Sequence, residues 1–185
     1  MSQLSAKERR AKQTVNNLLL SILATVGVVI AVVLMVPRDE SSRIPKIDYV
    51  AVASQAAASS KNNVVVPDLP EGWWSNQAKW LSDPIDAVPR FEAGFVGAKN
   101  EYIGYTQAFG VNPTWLALSL KDVVLEKNFN DSWAIYKSPV VHNPAKTKDV
   151  IWVGTFGQDA VLIYGTAPTS YFKAFSQSIE QKLKG

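Results

Sequence analysis

The longest apolar segment of the chain covers residues 18–36, which include no charged residue and no proline. As a helix, these nineteen residues would extend about 28 Å, close to the ~30 Å thickness of bilayer hydrocarbon. A buried helix of a globular protein seldom runs so long without a polar face. The pattern therefore predicts a transmembrane helix, placed at residues 15–36.

Basic residues cluster ahead of this segment, in the tail 1–14, where a single acidic residue accompanies them. These basic residues are Lys7, Arg9, Arg10 and Lys12. Because Lys and Arg favour the cytoplasmic side, we expect the N-terminus inside and the C-terminal part outside. A cleaved signal peptide is the alternative, but its apolar region is usually about 7 to 15 residues, followed by a small-residue site. Here Pro37 and Arg38 follow directly, which favours an uncleaved signal anchor in the plasma membrane.

Composition changes after the apolar segment. Residues 37–63 are rich in Ser, Ala and Lys, which is typical of a flexible tether, although the short apolar patch at residues 47–50 could add an edge strand or a helical turn. Residues 64–185 contain nearly all the aromatic residues and are long enough for one independently folded domain.

Alternation of apolar and polar residues predicts strands in this domain. Residues 91–96 and 101–109 flank a turn sequence and predict a hairpin. Residues 149–156 and 160–166 predict a second hairpin, apolar on both faces and therefore central in the sheet. Residues 131–138 predict a further strand.

Two helices are also predicted. Asn112 followed by Pro113 is typical of a helix start and predicts a short helix. After Pro168, one stripe of apolar side chains recurs at helical spacing and predicts a C-terminal amphipathic helix. The stripe consists of Phe172, Phe175, Ile179 and Leu183. The predicted fold is α+β, an antiparallel sheet of about five strands with both helices packed on it.

The net charge of +3 belongs to the N-terminal part, because twelve basic and twelve acidic residues follow from Tyr49 onward. A neutral domain argues against a nucleic-acid partner and leaves the lipid bilayer as the expected contact of the basic tail. The chain has no cysteine and one histidine, His142, and it lacks a phosphate-binding glycine motif. We therefore expect no catalytic residue, no cofactor and no metal site, and expect that the protein is not an enzyme.

Four tryptophans are candidates for a ligand or partner surface: Trp73, Trp74, Trp80 and Trp115. Large aromatic side chains more often pack in a core, so this is the competing interpretation. Trp73 follows Pro70 and Gly72, a sequence that favours a chain reversal and would pack Trp73 against the domain.

The order of these motifs resembles that of an actinobacterial, membrane-anchored family of unknown function, DUF4245. The resemblance covers nearly the whole chain: the basic tail and apolar segment, the Pro-x-Leu-Pro-x-Gly-Trp motif ending at Trp73, the first hairpin, the Trp133 strand, and Gly165-Thr166-Ala167 before the last helix. It implies one transmembrane helix with one extracytoplasmic domain, and it implies no catalytic residue. The order of sheet and helices is also similar in architecture to Mog1/PsbP-like domains.

Two hypotheses on function follow. The first is a non-enzymatic cell-envelope protein whose outer domain contacts another envelope protein. The second is an extracytoplasmic binding domain for an apolar or glycan ligand, suggested by the aromatic content. An apolar cavity lined by Trp73, Trp74 or Trp115 would favour the second hypothesis, and a filled core with an exposed aromatic patch would favour the first.

Overall fold

The computed structural model describes residues 6–35, 45–139 and 148–185 of the chain. The chain divides into two compact units, Met1–Arg43 and Ile44–Gly185. In the described ranges, the first unit consists of one helix, and the second consists of an antiparallel sheet with three helices.

Helix α1 spans Ala6–Met35, and within it Lys12–Met35 is long and apolar enough to cross a membrane. This confirms the predicted apolar helix, although the helix begins earlier than expected and includes part of the tail 1–14. The Thr25 hydroxyl donates a hydrogen bond to the Ser21 carbonyl one turn earlier, at 2.9 Å. A polar side chain in the apolar segment is thus satisfied within the helix, as a hydrocarbon environment requires.

Helix α2 spans Tyr49–Ser60, inside the region predicted to be a flexible tether, so that prediction was wrong for this part of 37–63. Asp48 caps the helix by accepting a hydrogen bond from the Ala51 amide at 3.0 Å. The helix ends at Lys61, which has a left-handed backbone with φ of 60°. Residues 36–44 lie outside the described residues.

Packing explains why an Ala- and Ser-rich segment is ordered here. Ala53 and Ala56 are buried, and their small side chains allow the helix to lie close to the sheet. Tyr49 meets Phe95 edge to face, with ring centroids 5.2 Å apart. Alanine also has the strongest helix preference of any residue. The second unit therefore includes α2 and is larger than the predicted domain 64–185.

Seven antiparallel strands form one sheet in the order β1-β2-β3-β7-β6-β5-β4. The strands are β1 Trp74–Leu81, β2 Arg90–Val96, β3 Tyr102–Ala108, β4 Val124–Asn128, β5 Trp133–Lys137, β6 Val150–Phe156 and β7 Asp159–Gly165. Helix α3, Pro113–Ser119, lies between β3 and β4 in the chain, and helix α4, Thr169–Lys184, is the last element.

The α+β class, both hairpins, the central position of β6 and β7, and the C-terminal helix are confirmed. The strand number is seven rather than about five, because β1 and β4 were missed. Strand β4 is exposed along its whole length and shows no apolar alternation. Strand β1 contains a bulge between Ser75 and Gln77, which interrupts the period of two on which strand prediction depends.

The two faces of the sheet are covered differently. On the first face, α2 and α4 cover the main core, to which α4 contributes Phe172, Phe175 and Ile179, all buried. On the second face, the apolar cluster is smaller and is built around Trp115 of α3. Asn112 caps α3 by accepting a hydrogen bond from the Trp115 amide at 2.8 Å, as predicted.

Candidate functional site

Trp73 belongs to the core of the first face and is only 9% exposed. Its ring centroid lies 4.8 Å from that of Tyr171 and 5.6 Å from that of Phe175. Gly97 allows the indole to approach, because a Cβ at that position would lie 2.9 Å from Trp73 Cε2. The packing that the sequence indicated for Trp73 is therefore observed.

The other three candidate tryptophans do not join Trp73 in a common surface. Trp80 is half-buried beside the first-face core, with its ring 5.8 Å from that of Phe109. Trp74 is half-buried at the start of β1, opposite Val96. Trp115 is buried in the second-face cluster. Among the four, only Trp115 lines the cavity described next.

This cavity, called here the second-face cavity, lies beside α3 and has a volume of about 320 Å³. Strands β2, β3, β6 and β7 contribute side chains to it, as does α3. Its lining residues are Asp86, Arg90, Glu92, Thr106, Trp115, Leu118, Ser119, Lys148, Ile151, Leu162 and Tyr164. The lining combines apolar side chains with charged groups and hydroxyls, so the cavity is not the apolar site that the aromatic content suggested.

A chain of ion pairs borders the cavity on the β1 and β2 side. Arg90 Nε donates to Glu92 Oε1 at 2.8 Å, and Arg90 Nη1 donates to both Asp86 carboxylate oxygens at 2.8 and 2.9 Å. Lys79 Nζ lies 3.0 Å from Glu92 Oε2. The Arg90 and Glu92 side chains are only 17% and 21% exposed. Two carboxylates and two cations therefore balance one another without a ligand.

Local backbone structure explains this arrangement. Arg90 and Glu92 are two residues apart on β2, so both side chains point to the same face of the sheet. Lys79 is the cross-strand partner of Glu92. Asp86 comes from the turn before β2, where the Ala87 amide donates to the Pro84 carbonyl at 2.8 Å.

Four groups of this site, Asp86, Arg90, Glu92 and Tyr164, have pKa values shifted away from neutrality. Burial alone would raise the pKa of Glu92, but hydrogen bonds from Arg90 and Lys79 lower it overall. Desolvation alone would raise the pKa of Asp86 as well, but the hydrogen bond and charge of Arg90 together with backbone hydrogen bonds lower it overall. Burial and the nearby Tyr102 raise the pKa of Tyr164 to about 12, against a smaller opposing effect of a hydrogen bond with Thr106.

Tyr164 also forms part of the cavity wall through its position above a glycine. A Cβ on Gly104, its cross-strand partner, would clash with the Tyr164 ring, so the absence of a side chain is what lets the ring lie there. Lys148 Nζ lies 5.0 Å from the centroid of the same ring. No carboxylate of the described residues forms an ion pair with Lys148.

A second exposed feature is the edge of the sheet at β4. No described strand pairs with the outer side of β4, whereas the β1 edge is contacted by α2 and receives a hydrogen bond from the Ile47 amide to the Ser75 carbonyl at 2.8 Å. Val124 and Leu125 are 56% and 54% exposed. The strand is short and has a bulge between Leu125 and Lys127, both of which limit uncontrolled edge pairing.

Sequence reasoning missed the charged residues of the second-face cavity. The available signal was Arg-Phe-Glu at residues 90–92, which places opposite charges on one face of a strand whose other face is apolar. The remaining lining residues come from distant parts of the chain and have no shared sequence signal. Within the described ranges, no group of His, Cys, Asp and Glu residues has the arrangement of a metal site, and His142 lies outside those ranges.

The architecture defines a class of protein with one apolar N-terminal helix and one α+β domain. Comparison with protein families gives a match over residues 10–179 to a family described as a protein of unknown function, DUF4245. The chain therefore belongs to the DUF4245 family, as its motifs indicated. Neither a curated protein nor a solved structure matches the chain.

Proposed function

We propose that this protein is a single-pass membrane protein whose α+β domain acts outside the cytoplasm as a non-enzymatic binding domain. The proposed orientation, with the N-terminus in the cytoplasm, is supported by the basic residues ahead of the apolar helix. An apolar helix of this length and position supports the plasma membrane as its location.

The observation that favours ligand binding is the second-face cavity. Its volume of about 320 Å³ is at the lower end of the range for small-molecule sites, roughly 300 to 1,000 Å³. Apolar side chains such as Ile151 and Leu162 lie in it, but polar and charged residues are the majority, so its lining is more polar than that of most small-molecule sites. The polar lining favours a glycan-type ligand over the purely apolar ligand considered from the sequence.

A role in binding rather than in general acid–base catalysis is supported by the charges of the cavity. A general acid or base works best with a pKa near the operating pH. The pKa values of Asp86 and Glu92 are lowered and those of Arg90 and Tyr164 are raised, so these groups keep one protonation state near neutrality.

The β4 edge favours a second candidate function, contact with another envelope protein. Two exposed apolar side chains, Val124 and Leu125, lie on a strand whose outer edge has no partner among the described strands. Addition of a partner strand to an open edge is a common mode of protein recognition. A photo-crosslinking residue at Leu125 should then yield one discrete adduct in cells, while the same residue at Gln177, exposed on α4, should yield none.

Ligand binding is tested with the full chain in phosphatidylcholine nanodiscs. A library of small sugars, sugar acids and polyols is screened by ligand-observed NMR against the parent and against Ser119→Trp, which places a large side chain in the cavity. Gln177→Trp is the matched control, because it introduces the same side chain on the exposed face of α4. We expect hits that are lost in Ser119→Trp and kept in Gln177→Trp. Hits unaffected by Ser119→Trp, or a screen without hits, would refute the cavity as a binding site.

A further inference from the structure

The second-face cavity has room for a small ligand, with a volume of about 320 Å³. That space accommodates one sugar ring or a molecule of similar size.

The charged residues around the cavity indicate which sign of charge a ligand would carry. Asp86, Arg90, Glu92 and Lys79 neutralise one another through contacts of 2.8 to 3.0 Å. Lys148 also lines the cavity, with its Nζ 5.0 Å from the centroid of the Tyr164 ring. Residues 140–147, which precede it, include no Asp or Glu. Lys148 thus lies where it can contact an anionic group in the cavity.

The rest of the lining indicates the body of the ligand. Thr106 and Ser119 offer hydroxyls, and the Glu92 carboxylate accepts hydrogen bonds. Ile151 and Leu162 offer an apolar surface in the same cavity. A sugar ring has this combination, with hydroxyls at its edge and C–H groups on its faces.

We propose that the second-face cavity binds a monosaccharide-sized polyol carrying one anionic group, with Lys148 contacting the anion and the hydroxyl and carboxylate side chains contacting the polyol. This inference rests on the proposed binding function and specifies its ligand class. Free sugar acids and polyol-phosphate lipid headgroups share this chemistry.

The experiment uses glucuronate as the probe and the full chain in phosphatidylcholine nanodiscs, followed by ligand-detected NMR titration. Glucose lacks the charge and acetate lacks the polyol, so they are the matched control ligands. We expect glucuronate to bind at least about tenfold more tightly than either, since a charge-assisted contact and the polyol contacts are both required.

Variants identify the site. Lys148→Gln should weaken glucuronate binding by about tenfold, and Lys148→Arg should largely retain it. Lys173→Gln is the control, because Lys173 also lies over an aromatic ring, that of Phe129 at 5.9 Å, but outside this cavity. Equal affinity for glucuronate and glucose, no glucuronate binding, or equal effects of Lys148→Gln and Lys173→Gln would overturn the proposal.

The outcomes separate this inference from the proposed function. If library hits disappear in Ser119→Trp while glucuronate does not bind, the ligand class is wrong and the binding domain stands. If no library compound binds, both are refuted. Repeating the titration in nanodiscs with phosphatidylglycerol distinguishes a free sugar acid from a lipid headgroup as the ligand. A headgroup that occupies the cavity would lower the apparent affinity for glucuronate. An unchanged affinity would assign the cavity to a soluble sugar acid.

Discussion

Replacement of Trp73 by Ala should strongly destabilise the α+β domain. The indole is 9% exposed and packs against Tyr171 and Phe175. A buried aromatic side chain removes roughly 150 to 250 Å² from water, and about 25 cal/mol per Å² gives about 4 to 6 kcal/mol. Measured losses for Trp to Ala in cores are about 3 to 5 kcal/mol, so we expect about 4 kcal/mol.

The measurement is urea unfolding of a fragment spanning residues 44–185, followed by circular dichroism. With a denaturant dependence of about 2 kcal/mol per M, a loss of about 4 kcal/mol lowers the urea midpoint by about 2 M. This is a large share of the roughly 5 to 15 kcal/mol that stabilises a typical domain.

Trp74→Ala is the control for the loss of an indole at the neighbouring position. Trp74 is half-buried and makes no ring contact with another aromatic residue among the described residues, so its replacement should lower the midpoint by less than half as much. If both variants unfold at the midpoint of the parent, Trp73 is not an anchor of the core, and the packing argument fails.

Three further predictions concern the anchor, helix α2 and the ion pairs. A reporter active only outside the cytoplasm should work after Gly185 and fail before Ser2, and the reverse result would contradict the proposed orientation. A fragment beginning at Val64, without α2, should unfold at lower urea than the fragment 44–185, because the β1 edge and Phe95 lose their cover; equal midpoints would show that α2 adds no stability. Because the pKa of Glu92 is lowered in the folded state, its ionised carboxylate stabilises the fold at pH values above its ordinary pKa of 4.5. This contribution disappears as the pH falls through the folded-state pKa. The free energy of unfolding of Glu92→Gln should therefore be about 1 to 2 kcal/mol below that of the parent near neutral pH. This difference should shrink as the pH is lowered. A difference that does not change with pH would refute the role of the charge.

Elements with a strong periodic or capping signal were predictable from the sequence. The two hairpins combine apolar strands with turn residues, and the C-terminal helix has a stripe in which Phe172, Phe175 and Ile179 are all buried. The start of α3 at Asn112 was predictable because capping is a local interaction.

Elements whose order depends on contacts made elsewhere in the chain were not predictable. Helix α2 has the composition of a linker, and its stability comes from burying Ala53 and Ala56 against strands that follow it. Strand β4 is exposed on both faces and is defined by its pairing with β5. The second-face cavity brings together Glu92, Ser119 and Lys148, which are far apart in the sequence.

The fit of the Tyr164 ring over Gly104 has a consequence for evolution. Because a Cβ on Gly104 would clash with this ring, the two positions are not free to vary independently. A lineage that acquires a side chain at position 104 would first need a smaller residue at position 164, because the opposite order of changes would produce the clash. Among relatives, the two positions should therefore covary, with a large aromatic residue at 164 found only where 104 is glycine.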